Sequence, residues 1–154
     1  MEKKAQVNSY QVIVKGNKDK HFTQEIMAGS HKMIADEPKE DGGNDLGPSP
    51  YDLILAGLGA CTSMTLRAYA DYKQIPLEGT IVKLKHDKIY AKDCDHCEDA
   101  DSKIDHIERV IELQGDLSPE QRLKLLEIAN KCPVHRSLIS NISITTHLIG
   151  KNVP

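Results

Sequence analysis

The apolar positions of the chain are most concentrated in one stretch, residues 47–72, which predicts a long core helix. Ser49 suits the N-cap, Pro50 the first helical position and Asp52 the first turn, where free backbone amides favour a negative charge. At about 100° per residue, one stripe of this helix consists of Leu53, Gly57, Cys61, Met64, Ala68 and Tyr72. Because its flanks are also apolar, we expect Cys61 to lie in the interior or in a deep cleft.

Before this helix, three short segments either alternate between apolar and polar residues or are rich in β-branched residues. These segments are residues 10–15, 21–28 and 31–35. Such segments are typical of strands, and Gly29 with Ser30 suits a tight turn between the last two. After the helix, residues 79–90 alternate partly between apolar and polar side chains and predict a fourth strand.

The next segment, residues 104–113, is compatible with two structures. Some of its apolar residues suit a helix, whereas the series Ile107, Arg109, Ile111 and Leu113 fits the alternation of a strand. Its β-branched content and the glycine at position 115 favour the strand.

A second helix is indicated by the capping box of Ser118 and Gln121, with Pro119 at the first helical position. Pro133 should end this helix at the preceding residue. A further short helix over residues 134–139 and a last strand over residues 142–148 follow. This order predicts a single α+β domain over residues 1–154, with helices packed on one face of a mainly antiparallel sheet.

Composition narrows the class of protein. The net charge of −3, the absence of Trp and the single Phe argue against a nucleic-acid-binding surface. The longest apolar run is far shorter than the roughly 20 residues that span a bilayer, and the N-terminus lacks a signal-peptide pattern. We therefore expect a soluble, cytoplasmic protein without nucleic-acid or membrane partners.

Four cysteines raise the question of chemistry, and in a reducing compartment a structural disulfide framework is not expected. Cys94 and Cys97 form a CxxC with His96 between them, which is half of a zinc site. Solvent-exposed thiols or a disulfide, a zinc site and redox catalysis all remain open for this loop. Its acidic surroundings disfavour a thiolate and so make redox catalysis the least favoured.

Cys132 stands in the sequence CPVHR, which allows two interpretations. If Cys132 caps a short helix that begins at Pro133, free amides together with His135 or Arg136 stabilise a thiolate. If it is instead the last residue of the preceding helix, the helix dipole opposes the thiolate. Cys61 lies in mid-helix, so an activating group would have to come from elsewhere in the fold. The residues alone leave packing and chemistry open for both cysteines.

Two segments, GPSPYDLILAGLGACTSMTLR and KCPVHRSL, resemble the OsmC-like family, which includes the organic hydroperoxide resistance proteins. The resemblance implies an intertwined homodimer that reduces organic hydroperoxides in oxidative-stress defence, without a required cofactor. It makes Cys61 the peroxidatic thiol, which becomes a sulfenic acid, and Cys132 the resolving thiol. An external dithiol would then reduce the resulting disulfide.

The chain departs from this family at two places. Family enzymes carry a Glu after the proline that opens the helix, where this chain has Tyr51 followed by Asp52. They also carry an Arg in the N-terminal region, for which Lys32, His31 or His21 is the candidate substitute here. The six candidate site-lining residues are Tyr51, Asp52, His31, Lys32, His135 and Arg136. The alternative function is a non-catalytic dimer that binds a small apolar ligand, or a metal through the CxxC loop.

Overall fold

A computed structural model describes residues 11–90 and 103–149 of the chain. The strands are β1 (Val12–Gly16), β2 (Gln24–Ala28), β3 (His31–Ala35), β4 (Gly79–Tyr90) and β5 (Lys103–Gln114). The helices are α1 (Pro50–Lys73), α2 (Pro119–Ala129) and α3 (Pro133–Leu138). The predicted α+β class is confirmed. The chain forms two compact units, the N-terminal unit (Met1–Ile54) and the C-terminal unit (Leu55–Pro154), and the single domain over residues 1–154 stays a prediction.

The N-terminal unit contains an antiparallel sheet in the order β1-β2-β3, in agreement with the three predicted strands. The strand β2 begins at Gln24, three residues later than predicted. The reason is local: residues 18–20 form a short 3-10 turn, and His21 takes a φ of 52°, which is incompatible with a strand.

Asp36 is a buried carboxylate at the end of this sheet, with only 2% of its surface exposed. The hydroxyl of Thr23 donates to one carboxylate oxygen at 2.9 Å, and the amide of Glu37 donates to the other at 2.9 Å. Burial raises the pKa of Asp36, but these hydrogen bonds outweigh it and hold the pKa below its ordinary value. Direct hydrogen-bond donors therefore stabilise the negative charge of the buried Asp36 carboxylate.

The start of α1 agrees with the sequence prediction, since the helix begins at Pro50. The hydroxyl oxygen of Ser49 accepts from the amide of Asp52 at 3.2 Å, and the Asp52 carboxylate accepts from the Ser49 amide at 3.0 Å. This reciprocal pair satisfies two backbone donors at the helix end. Asp52 thus has a structural role in capping.

The buried face of α1 differs from the predicted stripe. Its buried residues are Leu58, Thr62, Leu66 and Ala70. Met64 and Tyr72 of the predicted stripe are 70% and 78% exposed, and Cys61 is only partly buried. A helix that is apolar on nearly every side contains no periodic signal for one face, so the packing partners select it.

The C-terminal unit combines the hairpin of β4 and β5 with α2, α3 and the part of α1 from Leu55 onward. The hairpin pairs all along its length, from Gly79 opposite Gln114 to Tyr90 opposite Lys103, which confirms the strand interpretation of residues 104–113. The core of the unit consists of Leu66, Ala70, Leu77, Leu117, Leu125, Ile128 and Ala129. This core joins α1 to α2.

Two expectations about the sheet are not met. The described strands form two separate antiparallel sheets, of three and two strands, rather than one. Residues 141–149 have no regular secondary structure, although residues 142–148 were predicted as a strand. None of the described strands pairs with this segment, and a strand needs such a neighbour for its backbone hydrogen bonds.

By length and composition alone, α1 is long and apolar enough to cross a membrane. Core helices meet the same criterion, and Leu66 and Ala70 of α1 are completely buried in the core of the C-terminal unit. Burial of these two side chains in the core is typical of a core helix.

Candidate dithiol site

The structure decides between the two interpretations of Cys132. The helix α2 ends at Ala129, and Cys132 is the N-cap of α3 with an extended backbone, φ −53° and ψ 132°. The following proline disfavours helical geometry at Cys132, which explains why a new helix starts rather than the old one continuing. The backbone amides of Val134 and His135, at the start of α3, consequently lower the pKa of the Cys132 thiol.

The two cysteines of the predicted pair are in contact within the C-terminal unit. Both are free thiols, and the Cys61 side chain is close enough to the Cys132 thiol to lower its pKa. Cys132 is completely buried, whereas Cys61 is partly exposed. A reagent that enters from solvent therefore meets Cys61 before Cys132.

Thr62 lies beside Cys61 in the sequence but belongs to the buried face of α1. Its hydroxyl oxygen accepts from a guanidinium nitrogen of Arg109 at 2.8 Å. Its single proton is donated to the Leu58 carbonyl at 2.7 Å. Thr62 thus holds Arg109 beside α1, and its side chain also lowers the pKa of the Cys132 thiol.

The second nitrogen of the Arg109 guanidinium donates to the side-chain oxygen of Asn130 at 2.9 Å. Asn130 follows α2 directly, so Arg109 bridges from β5 to both α1 and the end of α2. Burial lowers the pKa of Arg109, and attraction to Cys132 acts in the opposite direction. An arginine has so high an intrinsic pKa that it stays charged in this setting.

The Cys132 thiol is subject to opposing influences. Burial raises its pKa, while the hydrogen bonds from Cys61, from the amides of His135 and Val134 and from Thr62 lower it. The lowering contributions are the stronger, so the pKa of Cys132 lies below the ordinary value of a thiol.

The predicted source of positive charge, His135 or Arg136, is not supported by the geometry. Burial and then repulsion by Arg109 lower the pKa of His135, so its imidazole is neutral at neutral pH. Arg136 is exposed on α3. Among the described residues, Arg109 is a cation that is attracted to Cys132.

Four of the other predicted site residues belong to the N-terminal unit. Tyr51, Asp52, His31 and Lys32 belong to the N-terminal unit, where their side chains are exposed. Cys94 and Cys97 lie outside the described residues, so the zinc site stays a prediction. Across residues 11–90 and 103–149, no three His, Cys, Asp or Glu side chains are grouped as metal ligands would be.

Sequence reasoning missed three residues of the site, namely Thr62, Arg109 and Asn130. The alternation of β5 contained a signal for one of them, because Arg109 occupies the same face as Ile107 and Ile111. A charged residue in an apolar row of a strand needs a partner inside the fold. The identity of that partner depends on how the helices pack.

A cleft of about 470 Å³ in the C-terminal unit is lined in part by Arg109, Asn130 and His135, whereas neither Cys61 nor Cys132 lines it. Its apolar lining residues are Leu58, Ile104, Ile107, Ile111, Leu126, Leu138 and Ile139. A mainly apolar cleft with a few polar groups suits a small organic molecule.

The match to a family model spans residues 42–147, and the model is that of the OsmC-like proteins. The chain belongs to the OsmC-like family. Both Cys61 and Cys132 lie within the matched residues, together with the whole of β4, α2 and α3. The family assignment made from the two cysteine segments is confirmed.

Solved structures of OsmC-like proteins share the fold. An osmotic-stress-induced and detoxification response protein from Psychrobacter arcticus has a TM-score of 0.66 at 19% identity, over 83% of this chain and 87% of its own. The organic hydroperoxide resistance protein OsmC from Legionella pneumophila has a TM-score of 0.60 at 22% identity, over 86% of this chain and 92% of its own. The organic hydroperoxide resistance protein OhrB of Bacillus subtilis has a TM-score of 0.57 at 18% identity, over 84% of this chain and 90% of its own. No curated protein matches the chain at a significant level.

Proposed function

We propose that this OsmC-like protein reduces organic hydroperoxides with the thiols of Cys61 and Cys132, as part of oxidative-stress defence. The observation that carries the proposal is the proximity of two free thiols, the partly exposed Cys61 and the completely buried Cys132. Two thiols in contact, one accessible and one shielded, suit a reaction that oxidises the first and resolves with the second. Two of the structurally similar proteins are organic hydroperoxide resistance proteins, which agrees with this chemistry.

The reaction proceeds in three balanced steps. The Cys61 sulfur attacks the terminal oxygen of the hydroperoxide, the O–O bond breaks and an alcohol leaves, so that Cys61 becomes a sulfenic acid. Cys132 then attacks the Cys61 sulfur, which forms a disulfide and releases water. An external dithiol reduces this disulfide by thiol exchange and is itself oxidised.

The substrate class follows from the cleft. Its apolar residues favour a hydroperoxide with an organic group over hydrogen peroxide, because burial of that group adds binding free energy in proportion to its apolar area. Cumene and tert-butyl hydroperoxide are suitable probes. No cofactor takes part in these steps, and we place the reaction in the cytoplasm.

We also propose that the functional protein is a homodimer. In the single chain, Met64 and Tyr72 of α1 are largely exposed, and so are Ile144 and Ile149 in the C-terminal segment. Apolar residues exposed on several elements favour a protein partner that covers them.

The test is hydroperoxide consumption by purified protein, with dihydrolipoamide as the reductant. Wild-type protein should turn over cumene hydroperoxide, and Cys61→Ser should abolish turnover. Cys132→Ser should stop after the first step, with a sulfenic acid on Cys61 that dimedone traps. Turnover by wild-type protein no faster than by Cys61→Ser would contradict the proposal.

The second candidate is a non-catalytic dimer that binds an apolar ligand or zinc, and the apolar cleft is the observation that favours it. For this function, Cys61→Ser and wild-type protein should bind apolar probes equally and neither should consume hydroperoxide. For the zinc version, a stoichiometric metal should be lost in the double variant Cys94→Ser/Cys97→Ser. The peroxidase proposal instead expects that double variant to retain turnover.

A further inference from the structure

Arg109 is a cation that is held by two uncharged partners. One of its nitrogens donates to the Thr62 hydroxyl at 2.8 Å, and another donates to the side-chain oxygen of Asn130 at 2.9 Å. Its neighbours on the same face of β5 are Ile107 and Ile111. Within residues 11–90 and 103–149, no carboxylate forms a salt bridge with Arg109. This guanidinium therefore has no ion-pair partner in the described part of the chain.

The guanidinium of Arg109 also keeps hydrogen-bond donors for a ligand. An arginine has five N–H donors, and the bonds to Thr62 and Asn130 use two of them. The other three have no acceptor among the described residues. Because the fork is rigid and planar, two bonds fix its orientation before a ligand arrives. A carboxylate is the anion that fits best, since it can accept two parallel hydrogen bonds from such a fork.

The surroundings of this guanidinium are mainly apolar. Arg109 lines the cleft of about 470 Å³ together with leucines and isoleucines from β5, α1, α2 and the end of α3. This volume falls in the range of roughly 300–1,000 Å³ that is typical of small-molecule sites. The apolar lining favours a ligand with an apolar body, while a cation at the same cleft favours a negative charge on that ligand.

The other ionisable groups of the cleft do not match the charge of Arg109. The Asp105 carboxylate lies 2.8 Å from the His86 imidazole and 3.3 Å from the Lys88 ammonium, so its partners are on β4. Burial and repulsion by Arg109 lower the pKa of His135, which leaves that imidazole neutral at neutral pH. The titratable lining residues are Asp105, His106, Arg109 and His135.

We propose that the cleft binds a small amphipathic carboxylate, with the carboxylate on Arg109 and the apolar body against the leucines and isoleucines. Thr62 and Asn130 are positioning residues, because they orient the guanidinium without supplying a charge. One guanidinium balances one negative charge, so the ligand class is a monoanion rather than a phosphate ester. The site is separate from the dithiol, since neither Cys61 nor Cys132 lines the cleft.

The experiment compares three probes that share one apolar body, by isothermal titration calorimetry on the full chain under reducing conditions. The probes are 4-phenylbutanoate, the neutral 4-phenyl-1-butanol and the cationic 4-phenylbutylammonium. Wild-type protein should bind the carboxylate about tenfold more tightly than the alcohol, or better, because a hydrogen bond to a charged group is worth more than a neutral one. The ammonium should bind more weakly than the alcohol.

Substitution of Arg109 locates this preference. Arg109→Met should reduce the affinity for the carboxylate to that for the alcohol and leave the alcohol nearly unaffected. Arg109→Lys keeps the charge but loses the fork, so it should retain part of the preference. Arg122→Met is the matched control, because that arginine also donates to two acceptors, the carbonyls of Leu113 and Gly115, but does not line the cleft. It should keep the full preference.

Equal binding of carboxylate and alcohol by wild-type protein, or no binding of either, would overturn the inference. So would a preference that persists in Arg109→Met. If Arg109→Met does not fold, Ile139→Asp decides instead, since this cleft residue is 74% exposed and tolerates a polar side chain. The added charge should weaken the carboxylate more than the alcohol, and equal weakening would contradict the site. The probes contain no peroxide, so this test and the turnover assay can fail separately.

Discussion

Cys132 combines complete burial with a thiol pKa below the ordinary value. Burial alone would raise this pKa, and interactions with Cys61, Thr62 and two backbone amides of α3 lower it. The thiol that we propose as the resolving one is therefore ionised more readily than an ordinary cysteine.

The pKa of the His135 imidazole depends on the charge of Arg109 and can be used to detect it. Its pKa is lowered by burial and by repulsion from Arg109, so removal of the guanidinium should raise it. In Arg109→Met the imidazole signal of His135 should titrate at a higher pH than in the wild-type protein, as followed by NMR. The other histidine signals serve as internal references. An unchanged His135 titration would mean that burial alone determines its protonation.

For single residues, the roles that depend on sequence neighbours could be predicted, whereas contacts between residues far apart in the sequence could not. The cysteine segments identified Cys61 and Cys132, and Ser49 and Ser118 were predicted as N-caps because their partners lie three residues away. The contact of Arg109 with Thr62 joins residues 47 positions apart. No local pattern determines such a contact, since it depends on how β5 packs on α1.

The same distinction holds for whole elements. The helix α2 begins at the predicted proline, and its capping box is present. It ends at Ala129, three residues before the predicted end, because Cys132 is already the cap of α3. The buried face of α1 could not be predicted, since an apolar helix offers several equivalent faces. The strand predicted at residues 142–148 has the right alternation but no pairing partner among the described strands.

The connection from β5 to α2 depends on Gly115. Its φ is 126°, and a Cβ atom there would lie 2.2 Å from the carbonyl oxygen of Pro76. Gly115→Ala should lower the free energy of unfolding by about 3 kcal/mol or more, since backbone strain and a clash with backbone act together. Urea denaturation monitored by circular dichroism measures the loss.

Gly29 is the matched control for that substitution. It also has a positive φ, 60°, but a Cβ atom there would have nothing within 4 Å. Gly29→Ala should therefore lower the free energy of unfolding only through backbone strain, by about 1 kcal/mol. Equal losses in the two variants would show that the close approach of Pro76 to Gly115 does not limit the packing.

On the scale of the whole molecule, the single chain leaves much apolar surface uncovered. In the N-terminal unit, Val12, Ile13 and Val14 of β1 are all exposed, although adjacent residues of a strand point to opposite faces. In the C-terminal unit, the exposed apolar residues lie on α1, α2 and the segment of residues 141–149. Exposure on so many elements is the observation on which the proposed homodimer rests.

The C-terminal segment allows a specific test of this dimer. Ile142, Ile144 and Leu148 have the spacing of one face of a strand, and none of the described strands pairs with this segment. Ile144→Asp places a charge on that face and should weaken self-association at least tenfold, about 1.4 kcal/mol. Sedimentation velocity over a range of protein concentrations measures the change. Thr145→Asp adds the same charge to the opposite face of the same strand and should leave association nearly unchanged. If wild-type protein sediments as a monomer throughout, or if both substitutions act equally, the proposed pairing of this segment with a second copy is wrong.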